Sequence, residues 1–184
     1  MHTSLDGYVC GPRDELGWVS MNEEGIDEFL FSDLQKRVDT ILIGRKMYQD
    51  FEQYWPSVRE NPNSLPGMVE FAHWMSDITK IIFSNTLLEL NWNNSKLASA
   101  DPFTTVQNLK KEPGGDMLIF GGTALAAHFV TNNLIDEYRI KLEPLVLGNG
   151  KSLYRDITER IKLKLINSKI FDSGVAGLYY QVIK

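Results

Sequence analysis

The stretch Met117-Leu-Ile-Phe-Gly-Gly-Thr-Ala-Leu-Ala-Ala-His-Phe129 joins an apolar run to a helix-forming run through two adjacent glycines. The apolar run predicts a buried strand, and the run that starts at Thr123 predicts a helix. Gly121 and Gly122 allow a tight turn and the close approach of a ligand, because they carry no Cβ atom. The helix directs unpaired N–H groups and the positive end of its dipole towards that ligand. The stretch therefore predicts a phosphate site, although a tight connection without a ligand would use the same glycines.

A second strand-to-helix turn lies in Asp39-Thr-Ile-Leu-Ile-Gly-Arg-Lys-Met-Tyr48, where Gly44 follows a β-branched strand. Arg45 and Lys46 then occupy the first turn of the predicted helix. Cations at this end oppose the helix dipole and cost about 0.3–1 kcal/mol. A bound phosphate would make both charges favourable, because arginine offers a planar fork and lysine a point charge. The alternative is that both side chains are solvated at the end of the helix and bind no ligand.

A third strand, in Lys80-Ile-Ile-Phe-Ser-Asn-Thr86, ends in small polar side chains. Ser84 and Asn85 are suited to the edge of an adenine or ribose, although an ordinary polar loop would have the same composition. All three turns follow strands that are predicted to be buried. In open α/β sheets, ligands bind at the carboxyl ends of the strands. We therefore expect the three turns to hold one phosphate-rich ligand.

Bulk composition excludes several classes of protein. The chain has 184 residues and a net charge of −5, with no basic run that would suit nucleic acid. Cys10 is the lone cysteine, which excludes an internal disulfide and suits a reducing compartment. No apolar stretch reaches the roughly 18–20 residues of a membrane span, and no signal peptide is apparent. No histidine or cysteine spacing suits zinc. We expect a cytoplasmic protein without nucleic-acid, membrane or metal partners.

The order of the predicted elements indicates one α/β domain over residues 1–184. Alternating strands and helices come first, and consecutive strands follow after Asn133. The predicted helices are Glu23–Lys36, Arg45–Tyr54, Gly67–Ser76, Thr104–Lys111 and Thr123–Asn132. The predicted strands are Ile41–Gly44, Lys80–Phe83, Lys96–Ala98, Met117–Phe120, Glu137–Leu142, Arg160–Phe171 and Leu178–Ile183. Trp55-Pro56 is expected to end the second helix. A mostly parallel central sheet with late antiparallel strands follows from this order.

Five fragments in this order carry a resemblance to a known superfamily. They are Ser4-Leu-Asp-Gly-Tyr8, Ile43-Gly-Arg-Lys-Met-Tyr48, Phe83-Ser-Asn85, Phe120-Gly-Gly-Thr-Ala124, and Leu134-Ile-Asp-Glu-Tyr-Arg139 with Pro144-Leu-Val-Leu-Gly-Asn-Gly-Lys151. The chain resembles the dihydrofolate reductase-like superfamily over nearly its whole length. It is most similar to the bacterial branch related to the reductase domain of riboflavin biosynthesis. The chain departs from that pattern in a short first strand, in Gly17 where an acid is common, and in a longer loop between Trp55 and Pro66.

The resemblance implies NADPH as the cofactor. The implied cofactor-binding residues are Val9, Gly11, Gly44, Arg45, Lys46, Met47, Ser84, Asn85, Gly121, Gly122, Thr123, Ala124 and Leu125. In this assignment the Gly-Arg turn and the serine-bearing strand end hold the adenosine half with its 2′-phosphate, and the Gly-Gly turn holds the pyrophosphate. Val9 and Gly11 would lie near the nicotinamide. The pair of cations favours NADPH over NADH.

The implied activity is hydride transfer to a C=N or C=O group of a small heterocyclic or ribosylated substrate. Reduction of 5-amino-6-(5-phosphoribosylamino)uracil is favoured, dihydrofolate reduction is the alternative, and a non-enzymatic NADPH-binding protein is a further alternative. Glu28, in a region that also holds Glu24 and Asp27, is a candidate proton donor if it is half buried, although acids in the first turns of a helix are also ordinary partners of the helix dipole. Asp6 is the other candidate, and its alternative role is to cap a turn. Aromatic residues could wall the substrate pocket or simply pack in the core: Tyr8, Trp18, Tyr54 and Trp55. Relatives of this type are commonly homodimers, so we expect one here.

Overall fold

The computed structural model describes residues 1–20 and 25–184 of the chain. The strands are β1 (His2–Thr3), β2 (Tyr8–Cys10), β3 (Val38–Gly44), β4 (Thr79–Phe83), β5 (Ser95–Leu97), β6 (Asp116–Ile119), β7 (Glu137–Leu142), β8 (Lys151–Ser152), β9 (Leu163–Ile170) and β10 (Ala176–Val182). The helices are α1 (Ile26–Phe31), α2 (Leu34–Arg37), α3 (Arg45–Glu60), α4 (Pro66–Asp77), α5 (Pro102–Leu109) and α6 (Thr123–Thr131). The predicted α/β fold with antiparallel strands late in the chain is confirmed.

The chain divides into two compact units, one formed by Met1–Leu34 with Ala126–Lys184 and the other by Gln35–Leu125. The prediction of a single domain over residues 1–184 stays a prediction. Among the described residues, no helix is both long and apolar enough to cross a membrane.

The unit Gln35–Leu125 is built on a parallel sheet with the strand order β5-β4-β3-β6. The central strand β3 buries Ile41, Leu42 and Ile43 completely or almost completely, so it is apolar on both of its faces. This continuous burial is what parallel sheets with covered faces require. Helices α3 and α4 pack against each other in this unit.

The other unit carries the sheet β1-β7-β10-β9 and the two-stranded sheet β2-β8. In the larger sheet β1 and β7 are parallel, and β7, β10 and β9 are antiparallel. Helix α1 covers part of this sheet through a core cluster of Ile26, Leu30, Phe171 and Val175. The β-rich carboxyl-terminal part, with its terminal hairpin β9–β10, is confirmed.

The prediction that Trp55-Pro56 ends a helix is wrong, since α3 continues through Pro56 to Glu60. A proline inside a helix removes one hydrogen bond and costs about 3 kcal/mol. The residue before the proline, Trp55, packs against other aromatic rings of this unit. The Trp55 ring lies 5.8 Å from the Phe51 ring and 4.9 Å from the Phe71 ring of α4.

The helix that is predicted over Glu23–Lys36 is divided in the structure into α1 and α2, with Ser32 and Asp33 between them. Asp33 forms a two-pronged ion pair with Arg139 of β7, with N···O distances of 2.8 and 2.9 Å. The Arg139 guanidinium also donates to the carbonyl of Leu30, at 3.1 Å. The bond to Leu30 satisfies a carbonyl that would accept an intrahelical hydrogen bond if the helix were continuous. Glu23 and Glu24 lie outside the described residues.

Candidate functional site

The three predicted turns meet at one edge of the parallel sheet in the unit Gln35–Leu125. Strand β3 is hydrogen-bonded to β4 on one side and to β6 on the other, with Gly44 opposite Phe83 and Leu42 opposite Ile119. The N–H of Phe120 donates to the carbonyl of Leu42, at 3.1 Å. Because the strands are parallel and in this register, the segments that follow them emerge side by side. We call this edge, formed by residues 44–47, 84–86 and 121–125, the ligand edge.

An open cavity of about 650 Å³ lies on the β4 and β5 side of the ligand edge. Its lining is Arg45, Phe83, Ser84, Asn85, Thr86, Ala98, Ser99, Ala100, Asp101 and Pro102. The lining therefore combines hydroxyl and amide groups with one guanidinium and one carboxylate. Ser84 shapes this wall, because its Oγ atom accepts hydrogen bonds from the N–H groups of Thr86 (3.1 Å) and Leu87 (3.0 Å). A cavity of this size and polarity suits a nucleoside-sized ligand.

The amino-terminal end of α3 is open towards this edge. Gly44 precedes the helix in an extended conformation, no side chain caps the helix, and the first turn contains no acid. Caps and acids are the usual partners of these N–H groups. Arg45 is exposed and makes one long contact of 3.5 Å with Gln49, so its guanidinium is available to a ligand in the cavity. Lys46 is also exposed, but it does not line the cavity.

The Gly-Gly turn lies beside the Gly44 turn. Gly121 and Gly122 have φ angles of +68° and +80°, in the left-handed region that favours glycine. An added Cβ at Gly121 would lie 2.8 Å from Met47 Cγ of α3, so this turn is packed directly against the second one. An added Cβ at Gly122 would meet nothing closer than Leu125 Cβ at 3.9 Å. The backbone over Gly122 is therefore open to an incoming group.

Residues 121–125 do not line the 650 Å³ cavity. The strand order β5-β4-β3-β6 explains this, since it places β6 on the opposite side of β3 from the cavity. The Gly44 turn of β3 thus lies between the cavity and the Gly-Gly turn. Thr123 and Leu125 are partly buried and Ala124 is exposed. This arrangement suits an elongated ligand with a polar ring system at one end and a charged group further along the edge.

The β5–α5 side of the cavity, above all Asp101, was not predicted from the sequence. Its carboxylate caps α5 by accepting a hydrogen bond from the N–H of Thr104, at 3.0 Å. Hydrogen bonding to Thr104 lowers the pKa of Asp101, so it adds a negative charge to the cavity wall. The dipeptide Asp101-Pro102 was an available signal, because an aspartate followed by proline is typical of a helix start.

Asp6, a predicted catalytic acid, organises a loop in the unit Met1–Leu34 with Ala126–Lys184. Its carboxylate accepts hydrogen bonds from Ser4 Oγ at 2.6 Å and from the N–H groups of Leu147 (3.0 Å) and Gly148 (2.8 Å). These bonds, that of Ser4 foremost, lower the pKa of Asp6 to about 2. Asp6 is therefore ionised at neutral pH. This geometry favours the turn-capping role over that of a proton donor.

The other predicted site residues of this unit range from exposed to buried. Glu28 is exposed on α1, and its role as a proton donor stays a prediction; the Asp27 side chain and Glu24 lie outside the described residues. Val9 is buried in β2, and Gly11 is buried against the Glu15 side chain. Tyr8 and Trp18 are partly buried. Their roles towards a ligand stay predictions.

Tyr54 and Trp55, the other two predicted substrate-pocket residues, lie on α3 in the unit Gln35–Leu125. Tyr54 is 47% exposed and its ring lies 4.9 Å from the Trp55 ring. Phe120, which directly precedes the Gly-Gly turn, packs against Phe51 at 5.4 Å and Phe71 at 6.2 Å. An aromatic cluster thus adjoins the ligand edge, and Tyr54 is its exposed member. Among the described residues, no group of three His, Cys, Asp or Glu side chains is arranged to hold a metal ion.

Comparisons with known proteins agree with this architecture. A model of the RibD C-terminal domain family matches residues 1–176. The uncharacterized protein YyaP of Bacillus subtilis is 34% identical over 177 residues, which covers 96% of this chain and 89% of YyaP.

Two solved structures have the same fold. A Shewanella sp. PV-4 protein assigned to riboflavin biosynthesis has a TM-score of 0.70 at 23% identity, and the match covers 100% of this chain and 97% of that one. A Thermotoga maritima diaminohydroxyphosphoribosylaminopyrimidine deaminase/5-amino-6-(5-phosphoribosylamino)uracil reductase has a TM-score of 0.63 at 17% identity. That match covers 99% of this chain and 55% of the Thermotoga protein.

Proposed function

The chain belongs to the RibD C-terminal domain family, and on that premise we propose that it is an NADPH-dependent reductase. The proposed reaction is hydride transfer to a C=N or C=O group of a small heterocyclic or ribosylated substrate. The observation that carries the proposal is the convergence of Gly44–Met47, Ser84–Asn85 and Gly121–Leu125 at one sheet edge, beside a cavity that Arg45 lines. A reducing compartment suits the lone Cys10, so a cytoplasmic location is part of the proposal.

The residues of the ligand edge fit the parts of NADPH in order. The 650 Å³ cavity with its hydroxyl and amide lining would hold the adenosine. Arg45 would bind the 2′-phosphate, since a guanidinium forms two parallel hydrogen bonds with phosphate oxygens. The open backbone over Gly122, together with the amino-terminal N–H groups of α6, would hold the pyrophosphate. Bound NADPH would supply the hydride, and the chain would supply binding and orientation.

For the substrate, we propose an aminopyrimidine with a ribosyl-type side chain, close to 5-amino-6-(5-phosphoribosylamino)uracil. The Thermotoga protein of the same fold is named as a reductase of that compound. The aromatic cluster around Tyr54 and Trp55 offers partly exposed rings on which a flat heterocycle could stack.

A second candidate, an NADPH-binding protein without turnover, is favoured by the state of the two predicted acids. Asp6 is ionised at neutral pH and held by three hydrogen bonds, and Glu28 is exposed. Neither residue is arranged as a half-buried acid that could donate a proton. A reductase with this arrangement would take the proton from water.

Thermal shift and turnover distinguish the candidates. A ligand at a hundred times its Kd stabilises a protein by about 2.7 kcal/mol. For a chain of this length, that corresponds to a rise in Tm of about 5–10 °C. We expect this rise with NADPH, and a smaller one with NADH. Loss of the reduced-nicotinamide absorbance on addition of a ribosylaminopyrimidine would establish the reductase. Binding without oxidation, across pyrimidine and pterin substrates, would establish the second candidate. An unchanged Tm with millimolar NADPH would contradict both.

A further inference from the structure

The wall of the 650 Å³ cavity carries opposite charges at its two ends. Arg45 follows β3 and Asp101 lies beyond β5, and the strand order β5-β4-β3-β6 places β4 between them. Because neighbouring strands are about 4.8 Å apart, β3 and β5 are separated by about 10 Å at this edge. Ser84 and Asn85, which follow β4, provide uncharged polar groups in the middle. A ligand in the cavity therefore meets a cation at one end and an anion at the other.

Hydrogen bonds at the start of α5 hold the Asp101 carboxylate in position. Its Oδ1 atom accepts a hydrogen bond from the N–H of Thr104 at 3.0 Å, and its backbone carbonyl accepts one from the N–H of Thr105 at 3.0 Å. The Thr105 hydroxyl donates to the carbonyl of Ala100, at 3.1 Å. Hydrogen bonding to Thr104 lowers the pKa of Asp101, so the carboxylate is ionised at neutral pH. The acid is thus oriented by the chain itself.

An ionised carboxylate accepts hydrogen bonds and donates none. Its two oxygens offer about four acceptor positions, and the bonds to Thr104 leave some of these positions open. Asp101 is exposed, so the open positions are accessible to a ligand. A ligand group beside Asp101 must therefore be a hydrogen-bond donor, since a phosphate or a carbonyl oxygen would be repelled by the carboxylate.

Small side chains leave room for a flat ring next to this carboxylate. Ala98, Ser99 and Ala100 line the cavity between the end of β5 and Asp101. The N–H of Ala98 donates to the carbonyl of Ile82 at 2.9 Å, so the backbone still runs beside β4 at this point. The largest side chain of this segment is the hydroxymethyl group of Ser99. A planar base can therefore lie against it and reach Asp101 with its edge.

We propose that Asp101 selects adenine as the base of the cofactor by accepting a hydrogen bond from its 6-amino group. This inference rests on the proposed function, in which Arg45 binds the 2′-phosphate and so holds the ribose at the β3 end of the cavity. The 6-amino group lies at the end of adenine that is remote from the ribose, so the base extends it towards β5. Amino groups of nucleic-acid bases are donors, and carboxylates are among their protein partners. Asp101 is thus a specificity-determining residue.

A ribose hydroxyl is the other donor that NADPH offers to a carboxylate. The 2′ position carries the phosphate that Arg45 binds in the proposed function, and the 3′-hydroxyl is next to it on the ring. Both groups therefore lie nearer to Arg45 than to Asp101 in this orientation. A change in the base that leaves the ribose unaltered distinguishes the two contacts.

Titration calorimetry with NADPH and its 1,N6-etheno analogue tests the proposal. The etheno bridge joins two nitrogens of the base, so it removes both donors of the 6-amino group and leaves the ribose and the phosphates unchanged. The unaltered protein should bind NADPH at least about tenfold more tightly than the analogue, because a hydrogen bond to a charged group contributes a factor of this order. In Asp101→Ser the two affinities should differ by less than about threefold, because serine retains the cap of α5 but is too short to reach the base.

Asp101→Asn and Asp50→Asn are the matched controls, and circular dichroism would show that each variant is folded. Asparagine at position 101 keeps the cap and the length of the side chain, and its neutral amide should give a preference between those of the unaltered protein and Asp101→Ser. It replaces the serine variant if that variant is unfolded. Asp50 is exposed on α3 and does not line the cavity, so Asp50→Asn removes the same charge and should retain the full preference.

Equal affinities of the unaltered protein for the two dinucleotides would overturn the proposal and leave the proposed function intact. A full preference in Asp101→Ser would also overturn it, because the preference would then reflect the bulk of the etheno bridge. Equal weakening of both dinucleotides by Asp101→Ser would assign the carboxylate to the ribose and overturn the selection of the base. Binding of neither dinucleotide by the unaltered protein would overturn the proposed function together with this inference.

Discussion

Strands β3 and β9 have similar apolar content, yet the structure uses them in opposite ways. β3 buries Ile41 and Ile43 completely, and its neighbours β4 and β6 complete its backbone hydrogen bonds. β9 pairs with β10 and leaves every one of its residues exposed. The first strand presents only its carboxyl end to a ligand. The second leaves its side chains exposed along its whole length.

The difference shows that the apolar content of a strand does not by itself decide whether the strand is buried. In β3 the run Ile41-Leu-Ile43 is continuous, so both faces need covering and a parallel sheet with helices supplies the cover. In β9, Leu165 and Ile166 are adjacent and polar residues separate them from Ile170, so the apolar side chains form no continuous run. Among the described elements, β9 has its main contacts with β10.

The largest expected effect is the difference in stability between an alanine substitution in β3 and one in β9. Ile43→Ala should lower the free energy of unfolding by about 2–5 kcal/mol, because it removes a fully buried side chain and leaves a cavity. Leu165→Ala should cost less than about 1 kcal/mol in dilute solution, because the side chain is half exposed. Urea unfolding measures both. Equal costs for the two substitutions would contradict the contrast in burial between the strands.

The next largest effect is expected on dinucleotide binding when the open backbone of the ligand edge is covered. Gly122→Val should weaken both NADPH and NADH by at least about a hundredfold, because a branched side chain would cover the open backbone. Gly174→Val is the matched control, since Gly174 also has a left-handed φ (+86°) but lies in the β9–β10 turn. Both variants should lose stability, by about 1–2 kcal/mol. Titration calorimetry should show the loss of binding for Gly122→Val alone, and an equal affinity in the two variants would contradict the pyrophosphate assignment.

The sequence was sufficient to predict the elements that carry the ligand edge. Short apolar runs bounded by Gly44 or by Gly121 and Gly122 have few alternatives to a strand followed by a tight turn, and β3, α3, β6 and α6 all begin close to their predicted residues. The parallel order then places the turns together. What these turns bind stays a prediction.

The features that the sequence did not predict depend on long-range contacts. Helix α3 continues through Pro56, and Trp55 beside it packs against Phe71, 16 residues further along the chain. The break before α2 relies on the ion pair between Asp33 and Arg139. The exposure of β9 depends on which surfaces the other described elements cover. The role of Asp101 in the cavity wall required the position of β5 at the sheet edge. Local patterns contain none of this information.

Arg45→Ala should have a moderate and selective effect at the ligand edge. We expect NADPH to bind about 10–100-fold more weakly, because charge-assisted hydrogen bonds to the 2′-phosphate contribute about 1.5–3 kcal/mol. NADH should change little. Lys46→Ala is the control, since Lys46 is an adjacent exposed cation that does not line the cavity. Its effect on NADPH should be several-fold smaller. Equal losses of NADPH and NADH affinity in Arg45→Ala would refute the 2′-phosphate role.

The smallest expected effect is a pH dependence of the free energy of unfolding. It arises from Lys80 of β4, in the sheet that also contains β3. Lys80 of β4 is completely buried, with its Nζ atom 2.8–3.2 Å from the carbonyls of Ser76, Ile78 and Asn93 and 4.4 Å from the centre of the Trp92 ring. Burial lowers the pKa of Lys80 to about 8, while Asp77 opposes this decrease. Above pH 8 the unfolded chain therefore binds more protons at this position than the folded chain does. The free energy of unfolding should rise between pH 8 and 9.5, by at most about 1.4 kcal/mol per pH unit.

Lys80→Met keeps the volume of the side chain and removes the titrating group, so it should abolish this rise. Urea unfolding at pH 8.0, 8.75 and 9.5, below the range in which tyrosines titrate (about pH 10), would measure the difference between the two proteins. Parallel pH profiles would contradict the prediction. They would mean that the three carbonyls and the Trp92 ring stabilise the ammonium ion enough to offset its burial. In that case β4 would hold a permanently charged lysine beside the strand that buries Ile41, Leu42 and Ile43.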